Sequence, residues 1–193
     1  PYMTDCTQHH SLSTPLDQSS LRELKSGDRV KISGIIYTAR DAAHRRFRDA
    51  LLQGKKLPID LQGQILYYTG PAPARPGQPI GSAGPTTAGR MDSITPLLLE
   101  KTGLMATMGK GNRGPVVIDA IKRFGCVYFA ATGGAGALLA KHIVEASIVC
   151  YEDLGPEAVH RLIVKDFPAT VAVDMWGEDL FSTGPASIKQ ILS

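Results

Sequence analysis

Short apolar runs typical of buried strands alternate with helical segments along this chain, and this alternation constrains the fold most strongly. Residues 27–37 are predicted to form a strand, or a hairpin broken at Gly34. Residues 39–52 carry apolar side chains at helical spacing, and Gly54 supplies a stop signal. Because alternating strands and helices favour an α/β domain, and hairpin-like ends allow antiparallel strands, we predict an α/β fold with a mixed sheet flanked by helices.

The remaining segments continue the same alternation. Further strands are predicted at 64–69, 104–108, 126–131, 147–151, 162–164 and 170–174, and further helices at 88–101, from Pro115 to Gly125, from Gly136 to Ile143, at 156–160 and at 185–192. With 193 residues and 43% hydrophobic content, the chain is long enough for one core. We expect a flexible lead-in over residues 1–13 and a single domain over 14–193.

Composition disfavours several classes of function. The net charge is only +3, the basic residues are dispersed and aromatic residues make up 6% of the chain. A nucleic-acid-binding surface would need denser cations and more stacking side chains, so no nucleic-acid partner is predicted. No apolar run approaches the roughly 20 residues of a membrane span, and the polar start lacks a signal-peptide core. We therefore expect a soluble, cytoplasmic protein without a membrane partner.

The cysteines and histidines do not predict a metal site. Cys6, Cys126 and Cys150 are widely separated, form no CxxC motif and do not have the pattern of a disulfide framework. Cys126 and Cys150 border predicted strands and are expected to be small buried hydrophobic residues. The five histidines include no HExxH motif. We expect no metal bound by this chain alone.

Two glycine-rich segments invite nucleotide-binding hypotheses. Gly109-Lys110-Gly111 resembles the end of a P-loop, but the preceding glycine spacing is wrong and Gly111 stands where a magnesium-binding Ser or Thr is required. Gly134-Ala135-Gly136 follows a predicted strand, but Leu139 occupies the position of the third glycine of a dinucleotide fingerprint. A tight strand-to-helix turn is the simpler interpretation, with nicotinamide or flavin binding as the alternative.

The segment 84–92, with the sequence GPTTAGRMD, has the composition of an anion-binding turn. It combines the hydroxyls of Thr86 and Thr87 with the permanently charged Arg90, directly ahead of an apolar helical run. The alternative is that the threonines only cap the following helix and that Arg90 is a solvated charge. Arg40 lies at another strand-to-helix transition, and Lys110 lies in a glycine loop after a strand. If these junctions converge, they form a ligand site at the strand ends.

Several motifs at these positions carry a family resemblance. The segments are TARDAAHRR (38–46), LPIDLQGQILYYTGPAPA (57–74), GPTTAGRMDS (84–93), GKGNRG (109–114), ATGGAGALLA (131–140), YEDLGPEAV (151–159) and VKDFPATVAVDMWG (164–177). In these segments the chain resembles the β subunits, equivalently the C-terminal domains, of class I iron–sulfur fumarases and the related tartrate dehydratases. The Arg-Met-Asp at 90–92 and the Gly-Asn-Arg at 111–113 look more like fumarases, because tartrate dehydratases tend to carry Glu at the position of Asp92.

The resemblance implies a swivelling β/β/α domain that contributes substrate contacts to a shared active site. The resemblance assigns dicarboxylate binding to Arg40, Thr86, Arg90 and Lys110. It assigns catalytic roles to Thr87 and Lys110, and supporting roles to Asp41, His44 and Asp92. Thr87 is the expected base, although an alcohol is a poor base unless nearby cations lower its pKa. Asp41 or His44 is expected to orient Arg40 or relay protons. The alternative for His44 is that it is simply packed within its helix.

The resemblance also implies a cofactor and partners. In the family a 4Fe–4S cluster is held by three cysteines of the other subunit or domain, and this chain has no corresponding cysteine set. We therefore expect a cluster-bearing α subunit or N-terminal-type domain, with homo-dimerisation inside a larger heteromer. The expected activity is the hydration of fumarate to (S)-malate. The alternatives are an L-tartrate dehydratase β subunit and a non-catalytic dicarboxylate-binding module.

Overall fold

The computed structural model describes residues 8–131 and 135–183, which form a mixed α/β fold. The strands are β1 (His9–Ser13), β2 (Arg29–Thr38), β3 (Ile65–Tyr67), β4 (Ala106–Gly109), β5 (Val127–Ala130), β6 (Ile143–Cys150) and β7 (Val159–Val173). The helices are α1 (Gln18–Arg22), α2 (Asp41–Leu52), α3 (Thr95–Thr102), α4 (Pro115–Phe124) and α5 (Gly136–Ala140), with short 3₁₀ segments at Ala88–Met91 and Glu152–Glu157. The predicted mixed sheet with flanking helices is confirmed: it contains seven strands among the described residues.

The sheet closes on itself because β2 and β7 are long enough to have two neighbours on one side. Strand β2 pairs in parallel with β1 over its first half and with β3 at its end, while β7 runs antiparallel along its other side. Strands β3, β4 and β5 are parallel neighbours, and β5 pairs with β7. The ring β2–β3–β4–β5–β7 is thus complete, with β1 and β6 attached outside it. The parallel strands β2 to β5 all end on the same side of the molecule.

Two hydrophobic cores lie on opposite faces of the ring. Side chains alternate across a strand, so Ile65 and Tyr67 belong to one core, while Leu66 and Tyr68 belong to the other. The second core also contains Phe47 of α2 and receives residues of α3 and α4. The helices therefore cover one face of β3, β4 and β5, and they begin close to the ends of these strands.

Two boundaries differ from the predictions in the first half of the chain. Residues 9–13 were expected in a flexible lead-in, but they form β1, in register with Arg29 to Ser33 of β2. The predicted helix over 88–101 is instead a 3₁₀ turn followed by α3, which begins at Thr95 with Pro96 in its first turn. A continuous helix is unfavourable because Pro96 lacks an N–H and its ring would clash with the preceding turn.

The predictions also differ from the structure after residue 150. The predicted helix over 156–160 is wrong: the 3₁₀ segment ends at Glu157, and Val159 begins β7. The strands predicted at 162–164 and 170–174 are two parts of β7, because β2 pairs with β7 on both sides of a bulge at residues 165 and 166, where Asp166 has a φ of 50°. The predicted helix at 185–192 and Gly134 lie outside the described residues. No helix in the described ranges is long and apolar enough to cross a membrane.

Candidate functional site

The threonine turn is attached directly to the ends of β3 and β4. The Thr86 N–H donates to the Tyr68 carbonyl at 2.7 Å, and the Lys110 N–H donates to the Thr86 carbonyl at 3.1 Å. The Ala88 N–H completes the ladder by donating to the Lys110 carbonyl at 2.9 Å. Thr87 and Lys110 are therefore partners in a parallel β-bridge, which places their side chains on the same face. The structure brings these two predicted catalytic residues together.

The two threonine hydroxyls are available to a ligand. Thr87 is exposed and Thr86 is half-buried. Neither side chain makes a hydrogen bond within the described parts of the chain. The predicted capping role is also not observed, since Thr87 precedes the 3₁₀ turn without a side-chain cap bond. The hydroxyls consequently have free donor and acceptor capacity at a solvent-accessible edge.

Arg40 and Arg90 converge on one carboxylate. The Arg90 Nε donates to Asp41 Oδ1 at 3.1 Å, and its Nη2 lies 3.0 Å from Asp41 Oδ2. The Arg40 Nε lies 3.9 Å from the same Oδ2. Arg40 comes from the end of β2 and Arg90 from the 3₁₀ turn after the threonines. The predicted convergence of these cations is therefore observed, with Asp41 between them.

The position of the Arg40 side chain also depends on Gly70 and Glu157. A Cβ atom at position 70 would lie 3.0 Å from both Cδ and Nη1 of Arg40, so the absence of a side chain there allows the arginine to pack against the backbone. Glu157 Oε1 lies 3.5 Å from Arg40 Nη2, and Oε2 accepts a hydrogen bond from the Ala42 N–H at 3.0 Å. Glu157 was not predicted as a site residue, although it lies in the YEDLGPEAV segment that carries part of the resemblance.

His44 is packed below the site instead of being exposed to it. Its side chain is fully buried, and its Nδ1–H donates to the Arg40 carbonyl at 2.8 Å. The ring lies edge-on to Tyr68, with 5.1 Å between ring centroids. Burial lowers the pKa of His44 to about 4, so the imidazole is neutral near pH 7. Of the two expectations, the packed residue is the one that the geometry favours, and His44 helps to fix the start of α2.

Asp92 supports the site through a buried arginine. Its Oδ1 accepts a hydrogen bond from Arg113 Nε at 2.8 Å, and its Oδ2 accepts one from the Gly114 N–H at 2.6 Å. The Arg113 side chain has no exposed surface, whereas Asp92 is 23% exposed. Asp92 thus joins the threonine turn to the loop that carries Lys110. Arg113 stood out in the sequence only as part of the GKGNRG motif, and its burial was not predicted.

The site combines positive charge with open access. Arg40 is 27% exposed and Arg90 52% exposed, so both retain surface for a ligand. Lys110 is exposed and makes no ion pair within the described residues. Asp41 and Glu157 offset part of this charge. Guanidinium forks, an ammonium group and alcohols on the loops that follow β2, β3 and β4 are suited to an anion with two carboxylates.

Neither of the two cysteines in the described ranges, Cys126 and Cys150, is suited to hold a metal cluster. Cys126 is buried in the second core, and its Sγ–H donates to the Leu104 carbonyl at 3.3 Å. Burial raises the pKa of Cys126 to about 12 and that of Cys150 to about 11, which opposes the thiolate form that metals require. Cys6 lies outside the described residues. Within the described ranges, no group of three or more His, Cys, Asp or Glu side chains is placed to hold a metal ion.

Comparison with known proteins gives one consistent set of relatives. A family model described as "Fumarase C-terminus" matches residues 3–184. Fumarate hydratase 2 of Leishmania major is 40% identical over 89% of this chain and 31% of its own length. The anaerobic class I fumarate hydratase of Escherichia coli (strain K12) is 39% identical over 88% of this chain and 32% of its own length. The chain therefore spans about a third of the length of these relatives.

A further relative has a different length. The putative L(+)-tartrate dehydratase subunit beta of Methanocaldococcus jannaschii is 37% identical over 86% of this chain, and the match covers 88% of that protein. This relative is therefore matched over nearly its whole sequence, whereas the fumarate hydratases extend far beyond the matched region.

Proposed function

The chain belongs to the fumarase C-terminus family, as the resemblance predicted, and from this premise we propose that it supplies the substrate-binding half of a class I fumarate hydratase. The proposed reaction is the reversible hydration of fumarate to (S)-malate. The observation that carries this proposal is the meeting of Arg40 and Arg90 on Asp41, beside the paired Thr87 and Lys110.

In the proposed complex, the two arginines hold the dicarboxylate. Each guanidinium has five N–H donors, and Asp41 engages only one edge of Arg90. The remaining donors of Arg40 and Arg90 can bind substrate carboxylate oxygens, and planar forks do so with two parallel hydrogen bonds. Asp41 and Glu157 keep the guanidinium groups close together in the absence of substrate, because the attraction of the carboxylates offsets the repulsion between the arginines.

The chemical step requires stabilisation of developing negative charge. Removal of a proton from the carbon beside a malate carboxylate gives an aci-carboxylate with additional negative charge. Lys110 and the arginines would stabilise that charge, and losing one such contact is expected to cost about 2–4 kcal/mol by analogy with an oxyanion donor. Thr87 remains the proposed base, since its exposed hydroxyl lies on the same face as Lys110 and nearby cations favour its deprotonated form.

The cluster and the partner belong to the proposal as well. The cysteines described above do not fit a 4Fe–4S cluster, so we do not propose that this chain binds the cluster. The proposed holder is the region represented by the remaining two thirds of the long relatives, present as a cluster-bearing α subunit or an N-terminal-type domain. Swivelling of this domain against that partner, a homo-dimer within the assembly and a cytoplasmic location remain predictions.

L-tartrate dehydration is the second candidate, because the tartrate dehydratase subunit matches the chain over nearly its own full length. A subunit of that size would assemble with a separate partner and accept a 2-hydroxy diacid at the same arginines. A non-catalytic dicarboxylate-binding module is the third candidate, since the site itself only requires an anion with two carboxylates.

Reconstitution distinguishes these candidates. The chain is combined anaerobically with the cluster-bearing partner, with iron and sulfide supplied, and (S)-malate and L-tartrate are offered separately. We expect fumarate formation from malate that requires both components and falls strongly in an Arg90→Ala variant, while Arg22→Ala, at an exposed position of α1, serves as the matched control. Turnover of tartrate alone would favour the second candidate, and binding of dicarboxylates without turnover of either would favour the third.

A further inference from the structure

The threonine turn and the Lys110 loop share one buried cation, Arg113. We propose that Arg113 is a positioning residue that sets the separation between Thr87 and Lys110, and thereby the shape of the dicarboxylate site. The inference rests on the proposed function for its catalytic consequence, but its structural part concerns this chain alone.

Arg113 is held on every side. Its Nε donates to Asp92, and its Nη2 donates to Thr95 Oγ1 at 2.7 Å. Its Nη1 donates to Tyr68 Oη at 3.2 Å and to Thr107 Oγ1 at 3.3 Å. The guanidinium carbon also lies 5.2 Å from the centroid of the Tyr68 ring. A buried guanidinium with this many partners has one accessible orientation, so it fixes the spacing between the elements that it joins.

The partners of Arg113 come from the elements on both sides of the bridge between Thr87 and Lys110. Asp92 and Thr95 follow the threonine turn, while Tyr68 follows β3 and accepts the Thr86 N–H through its carbonyl. Thr107 belongs to β4, which leads into Lys110. The turn and the strand end are thus tied together through Arg113 in addition to the backbone ladder.

The loop after Lys110 is fixed at two further points. The Gly114 N–H donates to Asp92 Oδ2, as described above. The Tyr128 Oη–H donates to the Gly111 carbonyl at 2.8 Å, and the Tyr128 ring centroid lies 5.0 Å from the Arg113 guanidinium carbon. Exposed Lys110 therefore sits on a loop whose following residues are anchored to the buried arginine and its neighbours.

This arrangement requires the planar fork of arginine. Lysine at position 113 would keep the charge, but a single ammonium cannot donate simultaneously toward Asp92, Thr95, Tyr68 and Thr107 in the observed directions. The Arg113→Lys variant is therefore expected to fold while loosening the bridge between Thr87 and Lys110.

The first test uses amide hydrogen exchange of the chain by itself. In Arg113→Lys, the amides of Ala88 and Lys110, which form the bridge, are expected to exchange at least tenfold faster than in the wild type. The amides of Ile36 and Phe129 in the other core should keep their exchange rates, and Arg22→Lys on α1 should change none of the four. Unchanged exchange at Ala88 and Lys110 would overturn the inference, and equal acceleration at all four amides would show that Arg113 only stabilises the fold.

The second test is NMR titration of the same chain with fumarate and (S)-malate. We expect chemical-shift changes at Lys110 and Arg90 in the wild type, an apparent Kd at least tenfold higher in Arg113→Lys, and the wild-type Kd in Arg22→Lys. A wild-type chain that binds neither acid would contradict the proposed function, while the exchange experiment would still decide the positioning role. A wild-type chain that binds, with equal affinity in Arg113→Lys, would overturn the inference alone.

Discussion

Asp41 is the residue on which the two arginines of the site depend. Its side chain is 17% exposed, and its carboxylate lies within 4 Å of both guanidinium groups. Without it, Arg40 and Arg90 would repel each other across a partly desolvated space, where Coulomb interactions are stronger than in water. Glu157 performs a similar function for Arg40 on its other side, and at the same time accepts a backbone hydrogen bond at the start of α2. The anion site is thus partly neutralised from within.

Replacing Arg40 by lysine tests whether substrate binding requires the planar guanidinium group at this position. In the reconstituted enzyme we expect KM for (S)-malate to rise by roughly tenfold, equivalent to about 1.4 kcal/mol, because an ammonium group cannot form two parallel hydrogen bonds with a carboxylate. Steady-state kinetics provide the measurement. Arg45→Lys, an exposed position farther along α2, should leave KM unchanged. A rise of less than about twofold in Arg40→Lys would remove Arg40 from substrate binding.

Thr87 and Thr86 differ in exposure, and paired substitutions can identify the base. We expect Thr87→Ala to lower kcat by roughly 100-fold or more with KM changed only slightly, because the arginines and Lys110 still bind the substrate. Thr86→Ala, measured in the same assay, should show the smaller loss of kcat. Wild-type kcat in Thr87→Ala would exclude this residue as the base, and a larger loss in Thr86→Ala would transfer the role to the neighbouring hydroxyl.

His44 makes stability depend on pH. Since its pKa falls from 6.5 in the unfolded chain to about 4 in the fold, the unfolded state binds the additional proton between these values. The free energy of unfolding should therefore decrease as the pH falls from 6.5 toward 4, with His44 contributing a loss of about 2 kcal/mol between pH 7 and pH 5. Urea unfolding of wild type and His44→Gln at several pH values measures this. An unchanged pH slope in His44→Gln would contradict the assignment.

At the scale of elements, Gly34 allows close packing between the middle of β2 and the chain that leaves β1. The pairing register with β7 shifts between Ile32 and Gly34. Gly34 has a φ of 108°, and a Cβ atom there would lie 2.4 Å from Thr14 Oγ1. Because Gly34 has no side chain, the chain leaving β1 can pass close to β2, which then continues toward β3 and the site. The strand that leads to Arg40 therefore requires a glycine near its middle.

Gly34→Ala should be strongly destabilising. We expect a loss of about 2–4 kcal/mol in the free energy of unfolding, from the positive φ and the collision with Thr14 together. Gly54→Ala is the matched control, since Gly54 also has positive φ but a Cβ atom there would meet nothing within 4 Å. The control should lose only about 1 kcal/mol. Equal losses in urea unfolding of the two variants would show that crowding at Thr14 is unimportant.

At the scale of the molecule, the closed ring separates two cores that depend on the same strands. β3 contributes neighbouring residues to both, with Ile65 on one side and Leu66 on the other, and neither side chain is exposed to solvent. Because the ring cannot lose one face without disturbing the strands that support the other, we expect the two cores to unfold together.

The adjacent variants Ile65→Ala and Leu66→Ala test this coupling. Each should lower the free energy of unfolding by about 2–5 kcal/mol, since each removes a fully buried aliphatic side chain. Far-UV circular dichroism and the fluorescence of Trp176 should report the same urea midpoint within each variant. Separate midpoints for the two probes would show that the cores unfold independently.

Much of the fold was predictable, because the apolar periodicities of α2, α4, β4 and β5 agree with their tertiary environments. The errors at β1 and β7 occurred where long-range pairing overrides local sequence, whereas the error over 88–101 came from Pro96 within the segment itself. The polar β1 is a strand because β2 pairs with it, and β7 continues past Asp166 and Pro168 because β2 runs along it. The choice of Arg40, Arg90, Thr87 and Lys110 as site residues came from motifs, whereas Glu157 could not be assigned because its partner lies more than a hundred positions away.

The sequence by itself determined the alternation of strands and helices, the chemistry of the three cationic junctions and the family. These properties depend on local periodicity, on side-chain type and on short motifs. The tertiary structure decided the closure of the sheet, the meeting of two arginines on Asp41 and the burial of Arg113 between two tyrosine rings. Those features arise from contacts between residues far apart in the chain, whose free energies depend on distance and burial, and neither quantity is encoded in any single segment.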